Sequence, residues 1–222
     1  MVSADGQGEG SDERATARKV VREGYDRMAD RYTTWSVSPP GGTTERFLHR
    51  VLSAVLDGAD VLDLGCGQGA AVAEALAGRC RVTGVDASRE QLARARARVP
   101  GATFIQADIA TLAWPPDSLD AVTAFYSLTH LPRADQAALF GRVATWLRPG
   151  GVICATLGGG DTFDEIEPEW LGVPMFFAGF APEENRRLLA AAGFEPVVDE
   201  VRDLQEPDGI STFHYVIERK RG

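Results

Sequence analysis

Residues 61–69 read Val-Leu-Asp-Leu-Gly-Cys-Gly-Gln-Gly. The hydrophobic start of this stretch predicts a buried parallel strand, and Gly65, Gly67 and Gly69 predict a sharp break from that strand into a helix. Because glycine has no Cβ, the backbone can turn tightly at these positions and a ligand can approach the amide groups. The stretch therefore predicts a ligand-binding turn at the end of a strand.

A carboxylate follows the next predicted strand. That strand is formed by residues 81–85, and Asp86 comes directly after it, 21 residues beyond Gly65. An acidic side chain in this position is suited to accept hydrogen bonds from the two hydroxyls of a ribose. The glycine turn and this carboxylate together indicate a cofactor that contains a nucleoside.

The glycine spacing alone leaves two kinds of cofactor open. The pattern Gly65-x-Gly67-x-x-Ala70 also satisfies the looser fingerprint of dinucleotide-binding proteins. Against a dinucleotide, Asp63 lies two residues before the first glycine, where its carboxylate would repel a pyrophosphate. A carboxylate there suits a ligand that carries a positively charged ammonium and sulfonium, and we favour such a ligand.

Strands and helices alternate along the chain, which predicts an α/β fold with a mostly parallel sheet. The predicted strands are residues 60–64, 81–85, 103–106, 119–125 and 151–157, followed by an antiparallel hairpin of residues 195–204 and 211–219. The predicted helices are residues 15–31, 44–56, 68–77, 134–147 and 182–192, together with a helix that begins at the capping-box pattern Ser88-x-x-Gln91.

In this order, the motifs resemble those of class I S-adenosylmethionine-dependent methyltransferases, over roughly residues 55–157. The first motif of that family is similar to the 61–69 stretch. Further motifs are similar to Asp86-Ala-Ser88, Gln106-Ala-Asp108-Ile109, Ser118-Leu-Asp120-Ala-Val122 and Leu147-Arg-Pro-Gly-Gly151. The resemblance implies a Rossmann-like, doubly wound sheet of seven strands, mostly parallel, with an antiparallel C-terminal hairpin whose last strand lies beside the fifth. It also implies S-adenosyl-L-methionine as cofactor and S-adenosyl-L-homocysteine as product.

The same resemblance implies which residues hold the cofactor. Gly65 and its neighbours would contact the methionine part, Asp86 the ribose, and Asp108 the adenine amino group. Other roles stay open, because Asp108 could cap the following turn, Asp63 could bind loop amides, and Phe125 could belong to the core. The predicted cofactor-binding residues are Tyr25, Tyr32, Asp63, Gly65, Cys66, Gly67, Gly69, Asp86, Ala87, Ser88, Asp108, Ile109 and Phe125.

Two tyrosines in the N-terminal helix are candidates for closing the site. Tyr25 and Tyr32 are seven residues apart, about two helical turns, and therefore lie on one face of the helix. Small-molecule methyltransferases of the family carry a similar helix over the cofactor. The pair could form an aromatic lid against the sulfonium, or it could equally be core packing.

Histidine is the default general base, and the chain has three. His130 follows the fourth strand on the side of the cofactor, so we predict it as the catalytic base, with a structural hydrogen bond as the alternative. His49 lies on a helix before the sheet and is expected to face solvent or to be structural. His214 lies in the last strand, where its direction stays open.

Residues 158–181 are predicted to form a substrate lid, because connections of this length are usually functional. Its acidic residues could contact a cationic amine or a metal, but we favour a solvated surface and predict no metal site. The aromatic residues could line the acceptor pocket or pack a lid helix on the domain. The predicted substrate-binding residues are Trp35, Tyr126, Trp170, Phe176, Phe177 and Phe180.

Composition predicts a single domain in a chain of 222 residues. We expect a mobile tail at residues 1–13 and one methyltransferase domain at residues 14–222, with residues 14–57 as an N-terminal helical cap. A net charge of −9 disfavours a nucleic-acid partner, and no apolar run is long enough to span a membrane. Three widely spaced cysteines suggest a cytoplasmic protein without disulfides, either a monomer or a homodimer.

The predicted activity is methyl transfer to a small molecule, with an oxygen acceptor ahead of nitrogen, carbon or sulfur. Three alternatives stay open at this point. The fold could catalyse a non-methylating cyclisation or dehydration, it could be a binding module that the cofactor stabilises, or it could methylate protein side chains.

Overall fold

The computed structural model of the protein describes residues 6–36, 42–70, 72–206 and 209–222. The helices are α1 Gly6–Trp35, α2 Thr43–Ala54, α3 Val72–Leu76, α4 Arg89–Arg98, α5 Arg133–Trp146 and α6 Pro182–Ala191, with a short 3-10 helix at Leu128–His130. The strands are β1 Asp60–Leu64, β2 Arg81–Asp86, β3 Thr103–Gln106, β4 Leu119–Ala124, β5 Leu147–Gly158, β6 Thr162–Trp170, β7 Val173–Gly179, β8 Phe194–Glu206 and β9 Gly209–Lys220.

Seven strands form one sheet in the order β3-β2-β1-β4-β5-β9-β8. The first five pair in parallel, and β9 pairs antiparallel with both β5 and β8. This confirms the predicted fold class, including the final strand beside the fifth. The strand order reverses between β1 and β4, which opens a crevice at the carboxyl ends of the strands.

Side chains from the central strands supply a core on each face of the sheet. Leu62, Val122 and Ile153 belong to a buried cluster with α5, whereas Val61 and Val152 belong to a second cluster with α2, α3 and α4. Because helices cover both faces, the central strands β1 and β4 are buried at nearly every position and are mostly apolar. The hydrophobic start of the 61–69 stretch follows from this burial.

The predicted capping box at the start of α4 is half formed. The Ser88 hydroxyl oxygen accepts a hydrogen bond of 3.1 Å from the Gln91 amide, as the pattern predicts. The Gln91 side-chain amide does not close the box, because both of its polar atoms are buried without a partner in the described part of the chain.

Helix α1 begins at Gly6, nine residues before the predicted start at Ala15. The prediction of a tail is therefore wrong for residues 6–13, which are helical, while residues 1–5 lie outside the described residues. Just after this stretch, ion pairs from Arg14 and Arg18 to Asp135, at 3.7 and 2.8 Å, bind the helix to α5.

The predicted lid is a β-hairpin that forms a sheet of its own from β6 and β7. It reverses direction at Leu171 and Gly172, both with positive φ (49° and 75°), as in a two-residue type I′ turn. Met175 on β7 packs against Met28 on α1. The alternative of a lid helix is therefore wrong, because the apolar residues of this segment lie on a strand.

Other boundaries differ by a few residues. Helix α3 is shorter than the predicted 68–77, because the Gly69 amide donates to the Cys66 carbonyl in a turn. The predicted break at 38–42 and the turn between β8 and β9 fall largely on residues 37–41 and 207–208, outside the described residues. All three cysteines are free, and no helix in the described ranges is long and apolar enough to cross a membrane.

Candidate active site

The glycine turn after β1 passes too close to β4 for any other residue. Gly65 has φ of +70°, and a Cβ added to it would lie 2.2 Å from the Cβ of Ser127. The Ser127 hydroxyl donates a hydrogen bond of 2.7 Å to the Leu64 carbonyl, and the Gly65 amide donates to the Val85 carbonyl at 2.8 Å. The turn is therefore fixed between β2 and β4, with its remaining amides at the switch point of the sheet.

Asp86 is held at the end of β2 by two backbone amides. Its Oδ2 accepts from the Gly67 amide and its Oδ1 from the Ser88 amide, both at 2.8 Å. Burial raises the pKa of this carboxyl to about 6, because the charged form loses hydration. The carboxylate oxygens have further lone pairs that can accept hydrogen bonds from hydroxyl donors in the adjoining cavity.

A first cavity of about 430 Å³ lies over the carboxyl ends of β1 to β4, and we call it the donor cavity. It brings together nine of the predicted cofactor-binding residues: Tyr25, Tyr32, Gly65, Gly67, Asp86, Ala87, Asp108, Ile109 and Phe125. These residues come from α1 and from four strand ends that are far apart in sequence. Their convergence follows from the parallel sheet, which places successive strand ends at one edge.

Four predicted cofactor-binding residues do not line the donor cavity: Asp63, Cys66, Gly69 and Ser88. Asp63 is buried on β1 below the turn, where it accepts a hydrogen bond of 2.8 Å from the Thr123 hydroxyl. Burial, opposed by this bond and assisted by the charge of Asp86, raises the pKa of Asp63 to about 7. Because Asp63 does not line the donor cavity, it can act on a ligand there only through its electrostatic field from below the turn.

Ser88 serves the packing of α1 instead of facing the cavity. Its hydroxyl donates a hydrogen bond of 2.6 Å to Asp26 on α1, and the Glu90 amide donates to the same carboxylate at 3.2 Å. Asp26 thus binds the N-terminus of α4, where a negative charge is favoured. This contact fixes α1 as the roof of the donor cavity.

Helix α1 adds cavity residues that the sequence did not indicate, namely Arg18, Lys19 and Arg22. The Arg18 guanidinium lies 2.9 Å from Oδ2 of Asp108. The other oxygen of Asp108 accepts from the Ala110 amide at 2.8 Å, so the turn-capping alternative for Asp108 is observed. The basic residues went unnoticed because only the docking of α1 brings them to the strand ends.

His130 and Tyr25 form a buried polar pair. The Tyr25 hydroxyl lies 2.9 Å from Nε2 of His130, and Nδ1 lies 2.9 Å from the Phe176 carbonyl. A carbonyl can only accept, so Nδ1 carries the proton and Nε2 accepts from the Tyr25 hydroxyl. Burial lowers the pKa of His130 to about 4 and raises the pKa of Tyr25, so both groups are neutral at pH 7.

A second cavity of about 450 Å³ adjoins the first and is called the acceptor cavity below. The two cavities share Tyr25, Tyr32 and His130 as a common wall. The remaining walls come from the end of α1, the β6–β7 hairpin, the glycines at and after the end of β5, the end of β8 and the start of β9. Among the residues they contribute are Trp35, Gly158, Gly159, Gly160, Glu165, Glu167, Trp170, Phe177 and Phe213.

The six predicted substrate-binding residues lie in different places. Trp35, Trp170 and Phe177 line the acceptor cavity, and Tyr126 lines the donor cavity.

Phe176 and Phe180 line neither of these cavities. Phe176 is buried with Ala17 of α1, and the Phe180 ring lies 4.2 Å from the Arg133 guanidinium carbon. Neighbouring residues on a strand point to opposite faces, so Phe176 and Phe177 cannot both face the cavity.

The other two histidines are structural or exposed. His49 faces solvent, which is one of the two possibilities that the sequence leaves open for it. His214 is buried, with Nδ1 3.3 Å from the Asn185 amide nitrogen and Nε2 3.2 Å from Asp199, so it joins α6 to the C-terminal hairpin. Within the described ranges, no group of three or more His, Cys, Asp or Glu side chains could hold a metal ion.

Comparison with known proteins points to one family. Residues 61–151 match the family described as Methyltransferase domain. A trans-aconitate 2-methyltransferase of Methylobacterium nodulans is 40% identical over 139 residues, which are 60% of this chain and 50% of that protein. The matches span between 36% and 56% of the length of the curated relatives.

Solved structures share the whole architecture at lower identity. A S-adenosylmethionine-dependent methyltransferase from Methanosarcina mazei superposes with a TM-score of 0.67 at 21% identity, over 78% of this chain and 97% of that one. The magnesium protoporphyrin IX methyltransferase of Synechocystis PCC 6803, solved with bound S-adenosylmethionine, gives 0.69 at 17% identity, over 93% and 97%. At these identities the likeness concerns the fold.

Proposed function

We propose that the chain is a class I S-adenosylmethionine-dependent methyltransferase that methylates a small molecule, because residues 61–151 match a methyltransferase domain and lie on this fold. The observation that carries the proposal is the pair of adjoining cavities. They share a wall of Tyr25, Tyr32 and His130. A donor in the first cavity and an acceptor in the second would meet at this wall.

The donor cavity fits S-adenosylmethionine by the chemistry of its lining. Asp86 offers carboxylate oxygens to the ribose hydroxyls. Asp108 can accept a hydrogen bond from the adenine amino group once the Arg18 guanidinium moves away from Oδ2 of Asp108. Asp63 below the turn provides negative charge near the site of the ammonium and sulfonium. When bound, S-adenosylmethionine supplies a methyl group that its sulfonium already activates.

The task of the protein is then to orient the acceptor and to exclude water. Helix α1 and the β6–β7 hairpin cover the shared wall, and their aromatic side chains pack edge to face around it. Positioning two reactants in this way can contribute on the order of 7–11 kcal/mol to the rate.

His130 is the proposed base, acting through Tyr25. An acceptor hydroxyl that reaches the Tyr25 oxygen can pass its proton there while Tyr25 passes its own to Nε2 of His130. The Phe176 carbonyl, which accepts from Nδ1–H, stabilises the imidazolium that forms. The shared wall would hold the acceptor oxygen for methyl transfer, and the bound donor would supply the methyl group and leave as the neutral thioether. A hydroxyl acceptor must lose its proton as it attacks, and this relay can accept that proton, so oxygen acceptors are favoured over nitrogen, carbon and sulfur.

The test is transfer of labelled methyl from S-adenosylmethionine to a panel of phenols, amines and carboxylates. Label transfer supports the proposal, whereas cofactor binding without transfer to any acceptor would favour a non-methylating reaction or a binding module. Transfer to protein side chains in preference to the panel would favour a protein methyltransferase.

The variants His130→Ala and Tyr25→Phe test the proton relay. We expect turnover of a phenol to fall by about a hundredfold or more in each variant, because the base is lost. Turnover of an aromatic amine, which is unprotonated at pH 7 and attacks through its lone pair without a base, serves as the control and should change by only a few-fold. Undiminished phenol turnover in His130→Ala would remove His130 as the base.

A further inference from the structure

We propose that the acceptor cavity recognises its substrate through a protonated amine, so that the substrate class is a flat, cationic small molecule and not a polycarboxylate. This inference rests on the proposed methyl transfer for its biological meaning. The preference of the cavity for a cation is a separate property that can be measured on its own.

The charges in the acceptor cavity have one sign. Glu165 and Glu167 line it from β6, and Glu206, which also accepts a hydrogen bond from the Ser211 hydroxyl, lines it from the end of β8. The described lining residues include no lysine or arginine, and the one histidine is neutral through its bond with Tyr25. Such a lining attracts a cation and repels a carboxylate.

Aromatic rings in the same cavity supply a second preference for a cation. Tyr32, Trp35 and Trp170 line it together, with ring centroids 6.0 Å apart for Tyr32 and Trp35 and 5.4 Å apart for Trp35 and Trp170. The faces of tyrosine and tryptophan rings attract an ammonium group. Carboxylates and aromatic rings from different elements therefore line the same cavity, and both are side chains that can bind an ammonium group.

Three basic residues of α1 lie on the other side of the shared wall. Arg18, Lys19 and Arg22 line the donor cavity and do not line the acceptor cavity. A polycarboxylate in the acceptor cavity would meet only carboxylates and neutral groups.

The relatives named for trans-aconitate do not decide the acceptor of this chain. Helix α1 and the β6–β7 hairpin, which carry the aromatic rings and the two glutamates, lie outside residues 61–151, the part of the chain that matches the methyltransferase domain family. This chain can therefore recognise the same methyl donor as these relatives and still bind a different acceptor.

The recognised amine and the methylated atom are separate groups of the substrate. A protonated amine has no lone pair with which to attack the methyl carbon. The amine would bind at the glutamates, and the nucleophile, such as a phenolic hydroxyl, would lie at the shared wall beside Tyr25.

Three probes that share a phenol and differ in charge test the proposal: tyramine, its neutral alcohol analogue 4-hydroxyphenethyl alcohol, and the anionic 4-hydroxyphenylacetate. Affinities are measured by calorimetry, with and without saturating S-adenosylhomocysteine. We expect tyramine to bind at least about tenfold more tightly than the alcohol, and the carboxylate to bind more weakly than either.

The double variant Glu165→Gln/Glu167→Gln should reduce the preference for tyramine over the alcohol to within about twofold. Glu169→Gln is the matched control, because Glu169 lies on the same strand and does not line the cavity; it should leave the preference unchanged. Equal affinity for the three probes, including no measurable affinity, or a preference that survives in the double variant, overturns the inference. Failure to bind S-adenosylhomocysteine would instead overturn the proposed function, and the probe affinities would still decide the charge preference.

Discussion

At the scale of single residues, the site contains two carboxyl groups that the fold keeps from water. Asp63 lies below the glycine turn and Asp86 beside it, and burial raises their pKa values to about 7 and about 6. A positively charged ligand above the turn would favour the ionised form of both. In the free protein, ionising these two buried carboxyl groups costs free energy, and the positive charge of a bound cofactor would reduce that cost.

This cost predicts how stability depends on pH. The folded state holds the Asp63 proton up to about pH 7, whereas the unfolded chain releases it near pH 4, so the folded state binds more protons between these values. The stabilising effect is complete below pH 4 and is lost as pH rises through 7. Asp63→Asn should therefore raise the free energy of unfolding by about 1–3 kcal/mol at pH 8 and leave it nearly unchanged at pH 4. Urea denaturation at the two pH values measures this, and an equal effect at both would contradict the burial argument.

At the scale of elements, the glycine turn and the first residues after β4 determine each other's conformation. Tyr126 has φ of +57°, uncommon for a residue with a side chain, and it leads into Ser127, which packs against Gly65. The Tyr126 hydroxyl lies 2.9 Å from the Tyr215 hydroxyl on β9. The strained position is thus held by contacts on both sides.

A methyl group at Gly65 should break this arrangement. Gly65→Ala adds a Cβ at 2.2 Å from Ser127 to a residue with φ of +70°, so we expect a loss of at least about 2 kcal/mol in stability and loss of cofactor binding. Gly141→Ala in α5 is the control, because its Cβ meets nothing within 4 Å, and it should stabilise by about 0.5–1 kcal/mol. Thermal unfolding and calorimetry measure both, and a fully active Gly65→Ala variant would refute the close approach.

The strand–turn–helix segment was predictable because its signals are local. Burial on both faces makes β1 mostly apolar apart from Asp60 and Asp63, and the positive φ of Gly65 is a local feature of the turn that favours glycine. The hairpin β6–β7 was not predicted as strands, since its turn at Leu171 and Gly172 lacks the usual Asn-Gly signal and β7 is apolar nearly throughout. Such a run is compatible with a helix or a strand, and only packing on α1 decides between them.

At the scale of the whole molecule, α1 and the β6–β7 hairpin form a layer of their own over the site. Met28, Trp170 and Met175 make a small buried cluster separate from the two clusters of the main sheet. Residues of this layer line both cavities, which local patterns cannot reveal. The roles of Arg18 and Glu165 could therefore not be predicted, because each depends on how the layer docks on the sheet.

The layer should open as a unit at a lower free energy than the sheet. We expect amide hydrogens of α1 and β7 to exchange with solvent faster than those of β1 and β4, and to gain protection together when S-adenosylhomocysteine binds. Hydrogen exchange followed by mass spectrometry measures both effects. Independent behaviour of α1 and the hairpin, or protection equal to that of the sheet in the free protein, would contradict a separate layer.

Calorimetric titration of S-adenosylhomocysteine into the full-length chain and into Asp86→Asn tests whether the donor cavity holds the proposed cofactor. One binding site per chain is expected, with affinity reduced at least about tenfold in Asp86→Asn while its unfolding stays cooperative, because one charged hydrogen-bond acceptor for the ribose is lost. Absence of binding by the unaltered chain, or equal affinity in the two proteins, would contradict the assignment of this cavity.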